Sequence, residues 1–232
     1  MRDYFEFDGK DSRDFGIYVA DTNQFDAPVR SIESVSIPGK NGDLTLDNGR
    51  YENIEKRYTV YIRGNIQDNI RALRSHLMKS SGYRILKDTL NPDEFYEARY
   101  VSGLEVSNSD RYRAAFELVF DRIPQRFLNS GAELKIISTS TTLLNPTEFN
   151  AYPMLRIYSS ANESFIKVNG IQFDFRAYSI DIDCETQDAY WGGINKNGDV
   201  SGTFPVFTPG NNTITLGSGI TSCEIYPRWW TI

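Results

Sequence analysis

With 232 residues, 40% of them apolar and 13% aromatic, the chain is long enough to build two small domains, each around its own core. A net charge of −6 argues against a dedicated nucleic-acid surface, which needs a concentrated excess of Lys and Arg to neutralise phosphates. No run of about 18 apolar residues is present to cross a bilayer, and the opening Met1-Arg2-Asp3-Tyr4-Phe5-Glu6-Phe7 lacks the apolar segment of a secretory signal, so a soluble protein without membrane partners is expected.

The first strong local signal is a turn-rich stretch, Ile37-Pro38-Gly39-Lys40-Asn41-Gly42-Asp43-Leu44, continuing through Asp47-Asn48-Gly49-Arg50-Tyr51-Glu52-Asn53-Ile54. Pro-Gly and two Asn-Gly pairs supply the fixed or positive φ that tight turns need, and the stretch reads as a shaped connector that reaches outward. Beyond it Tyr58, Val60 and Ile62 alternate on one face, as do Tyr112, Ala114, Phe116, Leu118 and Phe120, which is the pattern of half-buried strands. Between them Ile66, Ile70, Leu73 and Leu77 fall on one stripe at helical spacing, with Asn65 as N-cap and Gly82 as stop. A helix among strands most simply covers an open sheet face.

Charge density then drops. Residues 1–130 hold 19 Lys/Arg and 21 Asp/Glu, residues 131–232 hold 6 and 10, and together these account for the 25 and 31 of the whole chain. The change falls at Pro124 to Gly131, which places a domain boundary near residue 130. Beyond it Asn169-Gly170 between two apolar runs, 165–168 and 171–175, predicts a type I′ hairpin. Further short strands are expected at 153–158, 178–184, 212–216 and 222–226, a spacing that suggests a β-sandwich.

Catalytic chemistry is hard to assemble from this sequence. His76 is the only histidine and lies toward the flank of the helical stripe; no Gly-x-Ser-x-Gly elbow accompanies it to make a Ser triad, a metal site needing two histidines is impossible, and it reads as a structural residue of the helix flank. Asp181, Asp183 and Glu185 alternate with Ile180, Ile182 and Cys184. That pattern could be a calcium site or a glycosidase carboxylate pair, but it reads better as the solvent face of a strand. Trp191, Trp229 and Trp230 could offer platforms for a glycan, although one indole of the terminal pair fits better as a core plug with Arg228 pairing nearby. Cys184 and Cys223 are too few and too far apart for a disulfide framework and read as reduced, buried thiols. The glycines form no phosphate-binding loop, so no catalytic residue, metal or cofactor is expected.

With both halves read, the chain resembles the distal tail proteins (Dit) of long, flexible, non-contractile bacteriophage tails directed at Gram-positive hosts. In the first half the resemblance is carried by Gly16-Ile17-Tyr18-Val19, the Ile37 to Leu44 loop, the return from Tyr51 to Ile62, and the closing Phe120-Asp121-Arg122-Ile123-Pro124-Gln125-Arg126. In the second it is carried by Tyr152-Pro153-Met154-Leu155-Arg156-Ile157, the Val168-Asn169-Gly170 hairpin, Ile180-Asp181-Ile182-Asp183, Phe204-Pro205, Pro209-Gly210-Asn211-Asn212 and Ile225-Tyr226-Pro227-Arg228-Trp229-Trp230. It implies a mainly β fold: a ring-forming, tail-tube-like β-sandwich at 1–130 with one covering helix and a β-hairpin extension, then a galectin-like β-sandwich at 131–232.

The resemblance further implies a non-enzymatic hub in the virion tail tip, a homo-oligomeric ring of typically six copies. Such a ring would join the tail-tube protein to the tail-associated hub or lysin protein, anchor receptor-binding proteins, and let DNA pass through its bore. Pro38, Gly39, Lys40, Asn41, Gly42, Asn48, Gly49 and Arg50 are then the expected subunit-contact loop, with the 66–79 helix close to the same contacts. True galectins carry a sugar-site histidine, and residues 131–232 contain none. A carbohydrate-binding module acting through exposed Trp residues stands as the alternative.

Overall fold

The computed structural model describes residues 2–22, 25–106 and 113–232, the side chain of Arg113 excepted. Tyr112, assigned above to an apolar strand face, lies outside the described residues. The fold is mainly β and divides into two compact units, 1–126 with Ile232, and 127–231.

In the first unit the strands are β1 (Phe5–Phe7), β2 (Lys10–Asp11), β3 (Ile17–Thr22), β4 (Arg30–Val35), β5 (Leu44–Tyr51), β6 (Ile54–Arg63), β7 (Arg84–Asp88), β8 (Glu94–Tyr100) and β9 (Arg113–Arg122), with helix α1 (Ile66–Leu77) between β6 and β7. Seven of them form one path, β2-β1-β7-β8-β9-β6-β3, while β4 and β5 pair only with each other. The long β6–β9 pairing sets Tyr58 opposite Leu118, Val60 opposite Phe116 and Ile62 opposite Ala114, the alternation read from sequence. All six are buried, with Phe5, Phe7 and Phe120 closing over them. Phe5 stacks on Tyr58 at 5.2 Å between ring centroids, and Phe7 tilts against Phe120 at 5.0 Å. Each such side chain contributes about 1.5–3 kcal/mol by leaving water.

Helix α1 lays Leu73 and Leu77 into this core, with Ile66 and Ile70 packed at its margin. Asn65 is the N-cap residue, but its side chain turns to Asp68 and leaves the helix amides uncapped. The expected stop at Gly82 is corrected. The helix ends at Leu77, where the Met78 amide donates to the Arg74 carbonyl at 3.0 Å and the Lys79 amide to His76 at 3.4 Å, so the last turn tightens before the glycine is reached. His76 flanks the stripe as expected. Its ring stacks on Phe15 and its Nε2 lies 2.8 Å from the Phe7 carbonyl.

The strand β10 (Arg126–Leu128) leads into the second unit, where α2 (Asn129–Ala132) is followed by β11 (Lys135–Ile137), β12 (Thr141–Asn145), β13 (Met154–Ser159), β14 (Glu163–Val168), β15 (Ile171–Arg176), β16 (Ser179–Asp183), β17 (Asp188–Trp191), β18 (Ile194–Asn195), β19 (Val200–Gly202), β20 (Gly210–Leu216), β21 (Ile220–Tyr226) and β22 (Trp230–Thr231). A six-stranded sheet, β11-β21-β13-β16-β17-β18, and a five-stranded sheet, β12-β20-β14-β15-β19, enclose one apolar core as a β-sandwich. The β14–β15 turn is type I′, with Asn169 at φ 51° and Gly170 at 84°. Two buried asparagines hold loops in place with all their amide atoms bonded. Asn212 donates to Thr208 and Gly210 carbonyls and accepts from the Thr208 amide, while Asn145 does the same between Phe149, Phe207 and Thr147.

Candidate functional site

The residues expected to reach outward lie on an arm made of β4 and β5. The 37–43 segment that joins these strands is built as its sequence requires. Ile37 accepts from the Lys40 amide at 3.1 Å across Pro38-Gly39, and Gly39 at φ 82° takes the left-handed position that a proline-led type II turn demands. Asn48-Gly49 is not a second turn, and that expectation is corrected: both residues lie inside β5. Ser31 alone on β4 stands against Asn48, Gly49 and Arg50, because Arg30 pairs with Tyr51 and Ile32 with Asp47. Gly49 at φ 71° absorbs this bulge.

Arg30 staples the base of the arm. Its guanidinium contacts Asp47 at 2.6–2.7 Å, bonds the Tyr51 hydroxyl at 3.1 Å and sits over the Tyr51 ring. These hydrogen bonds from Arg30, with one from the Gly49 amide at 2.8 Å, hold the Asp47 carboxyl below the usual carboxylate range. Just past β5, Asn53 donates to Tyr83 and Asp121, and Arg99 joins them at Asp121 at 2.9 Å, tying the arm's return to the main sheet.

Beyond this staple no described residue covers the arm. Residues 32–50 are all exposed, including Ile32, Val35, Ile37, Leu44 and Leu46. The register places Val35 opposite Leu44 and Glu33 opposite Leu46, so three aliphatic side chains share one face of the arm. A two-stranded ribbon is marginal by itself in water, and its outer edges leave backbone N–H and C=O groups free to pair. Chemically the arm offers apolar contact and strand addition.

Under the main sheet lies a polar centre that sequence reading missed. Asp88 is buried where its carboxylate accepts from the Tyr58 hydroxyl at 2.8 Å and from the amides of Leu90 and Asn91 at 3.1 and 2.9 Å. Lys56 Nζ lies 3.7 Å away and is itself buried. Around the Tyr96 ring gather Lys56, Arg122 and Arg126, with Arg126 paired to Glu94 at 2.7 Å and Arg122 reaching Asp26 at 3.7 Å. Burial lowers the pKa of Lys56 against the pull of Asp88, and burial beside Asp88 raises that of Tyr96 to about 12. The signal was present in the alternation, because Lys56 continues the inward parity of Tyr58 and Val60 and Arg122 that of Leu118 and Phe120.

In the second unit the carboxylates of β16 are engaged. Asp181 was read as solvent-facing and is corrected: it is 4% exposed beneath Arg156, which binds it in bidentate fashion at 2.6 and 3.1 Å. Asp183 takes both arms of Arg228 at 2.7 and 2.9 Å, and Glu185 lies in the turn beyond the strand, 3.4 Å from the same guanidinium. Burial would raise the Asp183 pKa, but the bonds from Arg228 and two backbone amides bring it below the usual carboxylate range. Among the described residues no group of three or more His, Cys, Asp or Glu could hold a metal.

The tryptophans do not make one platform. Trp229 is 4% exposed against Phe207, so its place among candidate glycan contacts is corrected: it plugs the core. Trp230 stacks on Phe149 and donates its indole N–H to the Asn150 carbonyl at 2.9 Å. Trp191 stands apart, edge-on to Tyr158 with Arg156 over its ring. Cys184 and Cys223 are free, buried thiols, and burial pushes both up, Cys223 to about 12.

The fold, mainly β and in two compact units, corresponds to that of solved chains from phage adsorption devices. The structure is similar to that of SPP1 Dit, described as a paradigm of the hub adsorption apparatus in Gram-positive infecting phages, over 97% of this chain and 98% of that one, with a TM-score of 0.74 at 14% identity. It is also similar to a chain of the phage P2 baseplate in its activated conformation with Ca, over 97% of both chains, with a TM-score of 0.55 at 8% identity. The resemblance read from sequence therefore holds at the level of the fold. No protein-family model matches the sequence, and no curated protein sequence matches it.

Proposed function

We propose that this chain is a structural hub subunit of a phage tail tip or baseplate. It forms a ring of copies of itself, six by the family resemblance, in which the first unit makes the annulus and the second, galectin-like unit stands outside. The ring joins the tail-tube protein to the tail-associated hub protein and anchors adhesion proteins, and its bore passes DNA without gripping it. The observation that carries this reading is the fold correspondence with SPP1 Dit through both units in one alignment. The exposed arm supports it, since a projecting, apolar ribbon suits the heterologous contacts of a ring, one surface meeting a different surface on the next copy. Pro38, Gly39, Lys40, Asn41, Gly42, Asn48, Gly49 and Arg50 belong to that contact in this reading.

Native mass spectrometry and electron microscopy of the purified protein test it, alone and with a candidate tail-tube or hub protein of the same phage. Closed rings are expected. A strict monomer at high concentration that stays monomeric with both partners would overturn it.

A further inference from the structure

The outer face of the five-stranded sheet carries an open groove of about 560 Å³, within the roughly 300–1,000 Å³ of small-molecule clefts. Its floor follows from register: Phe165 on β14 is opposite Asp174 on β15, which is opposite Ser201 on β19. These three point away from the buried Ile166, Phe173 and Phe175, so an aromatic ring, a carboxylate and a hydroxyl stand in one row. Ser164 and Ser218 add hydroxyls at one end, and the Gly198-Asp199 turn forms a wall.

We infer that this groove binds an uncharged glycan, with Phe165 meeting the C–H face of a sugar ring and Asp174 and Ser201 bonding its hydroxyls. The inference goes beyond the hub reading and does not depend on it. Charge decides between ligand classes. Glu163 is paired with Arg176 at 3.2 Å and Asp199 with Lys196 at 2.9 Å, and Asp174 is bonded by Gln172 at 2.6 Å, with no ion pair to it among the described residues. Such a surface has no cation excess for a polyanion and little acidic excess for a basic peptide. A ligand of many neutral hydroxyls matches it, because carboxylate and serine oxygens accept from hydroxyl donors and an aromatic ring packs an apolar sugar face. Lys167 Nζ, 5.0 Å above the Phe165 ring centroid, is the flexible group that a sugar would displace. The groove also differs from the sequence-based choice, since it contains no tryptophan.

Saturation-transfer NMR reads ligand signals whatever the size of the protein assembly, so the full chain serves. Lactose, maltose, cellobiose and chitobiose are the probes, with polyglycerol phosphate and oligolysine as charged comparisons. At least one neutral disaccharide should give saturable transfer at millimolar concentration. Transfer should fall at least tenfold in Ser201→Tyr, which fills the groove from an exposed edge position, and in Asp174→Ala, while Trp191→Ala keeps it. The inference is overturned by silence from all four neutral probes, by transfer that survives Ser201→Tyr, or by a response confined to polyglycerol phosphate or oligolysine.

Discussion

Replacing Asp88 by Ala probes the buried centre of the first unit more sharply than any truncation of its aromatic core. The substitution removes the acceptor of the Tyr58 hydroxyl, two backbone-capping bonds at Leu90 and Asn91, and the carboxylate nearest the buried Lys56 ammonium. Breaking one side of a buried charge pair costs about 3–5 kcal/mol, because the remaining charge stays desolvated. For an unfolding unit of this size that corresponds to a fall of roughly 10–20 °C in Tm. Thermal unfolding followed by circular dichroism and calorimetry measures it, and the first unit's transition alone should move. A double variant, Lys56→Met with Asp88→Leu, should recover part of the loss, since it removes the stranded ammonium while the Tyr58 hydroxyl and the Leu90 and Asn91 amides still lack their acceptor. A fall in Tm below about 3 °C for Asp88→Ala, or a double variant no better than the single one, would refute the reasoning.

Three further outcomes follow from other parts of the molecule. Gly131→Ala should destabilise the second unit by about 1–3 kcal/mol, because its Cβ would lie 2.3 Å from the Trp229 amide nitrogen, backbone that cannot swing aside; urea unfolding measures it. Tyr58 and Tyr96 have folded pKa values above their unfolded 10.0, so their stabilisation is complete below pH 10 and declines as pH rises toward the folded values, about 12 for Tyr96. Lys56, with its pKa lowered, acts in the opposite sense, so tyrosinate absorbance is the direct readout: these two rings should titrate late in the native protein and normally after denaturation. Cys184 and Cys223 should resist a thiol reagent in the native state and react together on unfolding, and prompt labelling of either would contradict their burial.

Much of the scaffold was legible because its residues obey one period at a time. Tyr58 to Ile62 and Ala114 to Phe120 alternate, the α1 stripe repeats at helical spacing, and Asn169-Gly170 admits one kind of turn. The arm was half legible. Pro38-Gly39 marked its tip, but Asn48-Gly49 has the composition of a turn and serves as a bulge, a choice made by the pairing partner Ser31 across the ribbon. The charged centre was hidden by composition. Lys56 and Arg122 fit the inward parity of their strands, yet a lone Lys or Arg is read as solvated until Asp88 and Asp26 are brought to it from distant segments. Asp181 was misread for the same reason, since the cover over it is Arg156 from a neighbouring strand. The groove over Phe165 could not be read at all, because it exists only once three strands lie in register.

The most direct test of ring formation through the arm is native mass spectrometry of the intact chain beside a variant lacking residues 38–48, each with and without the tail-tube protein. The account predicts closed rings of the intact chain, six copies by the resemblance, and a folded variant that stays monomeric under every condition. Normal rings from the shortened chain would contradict it.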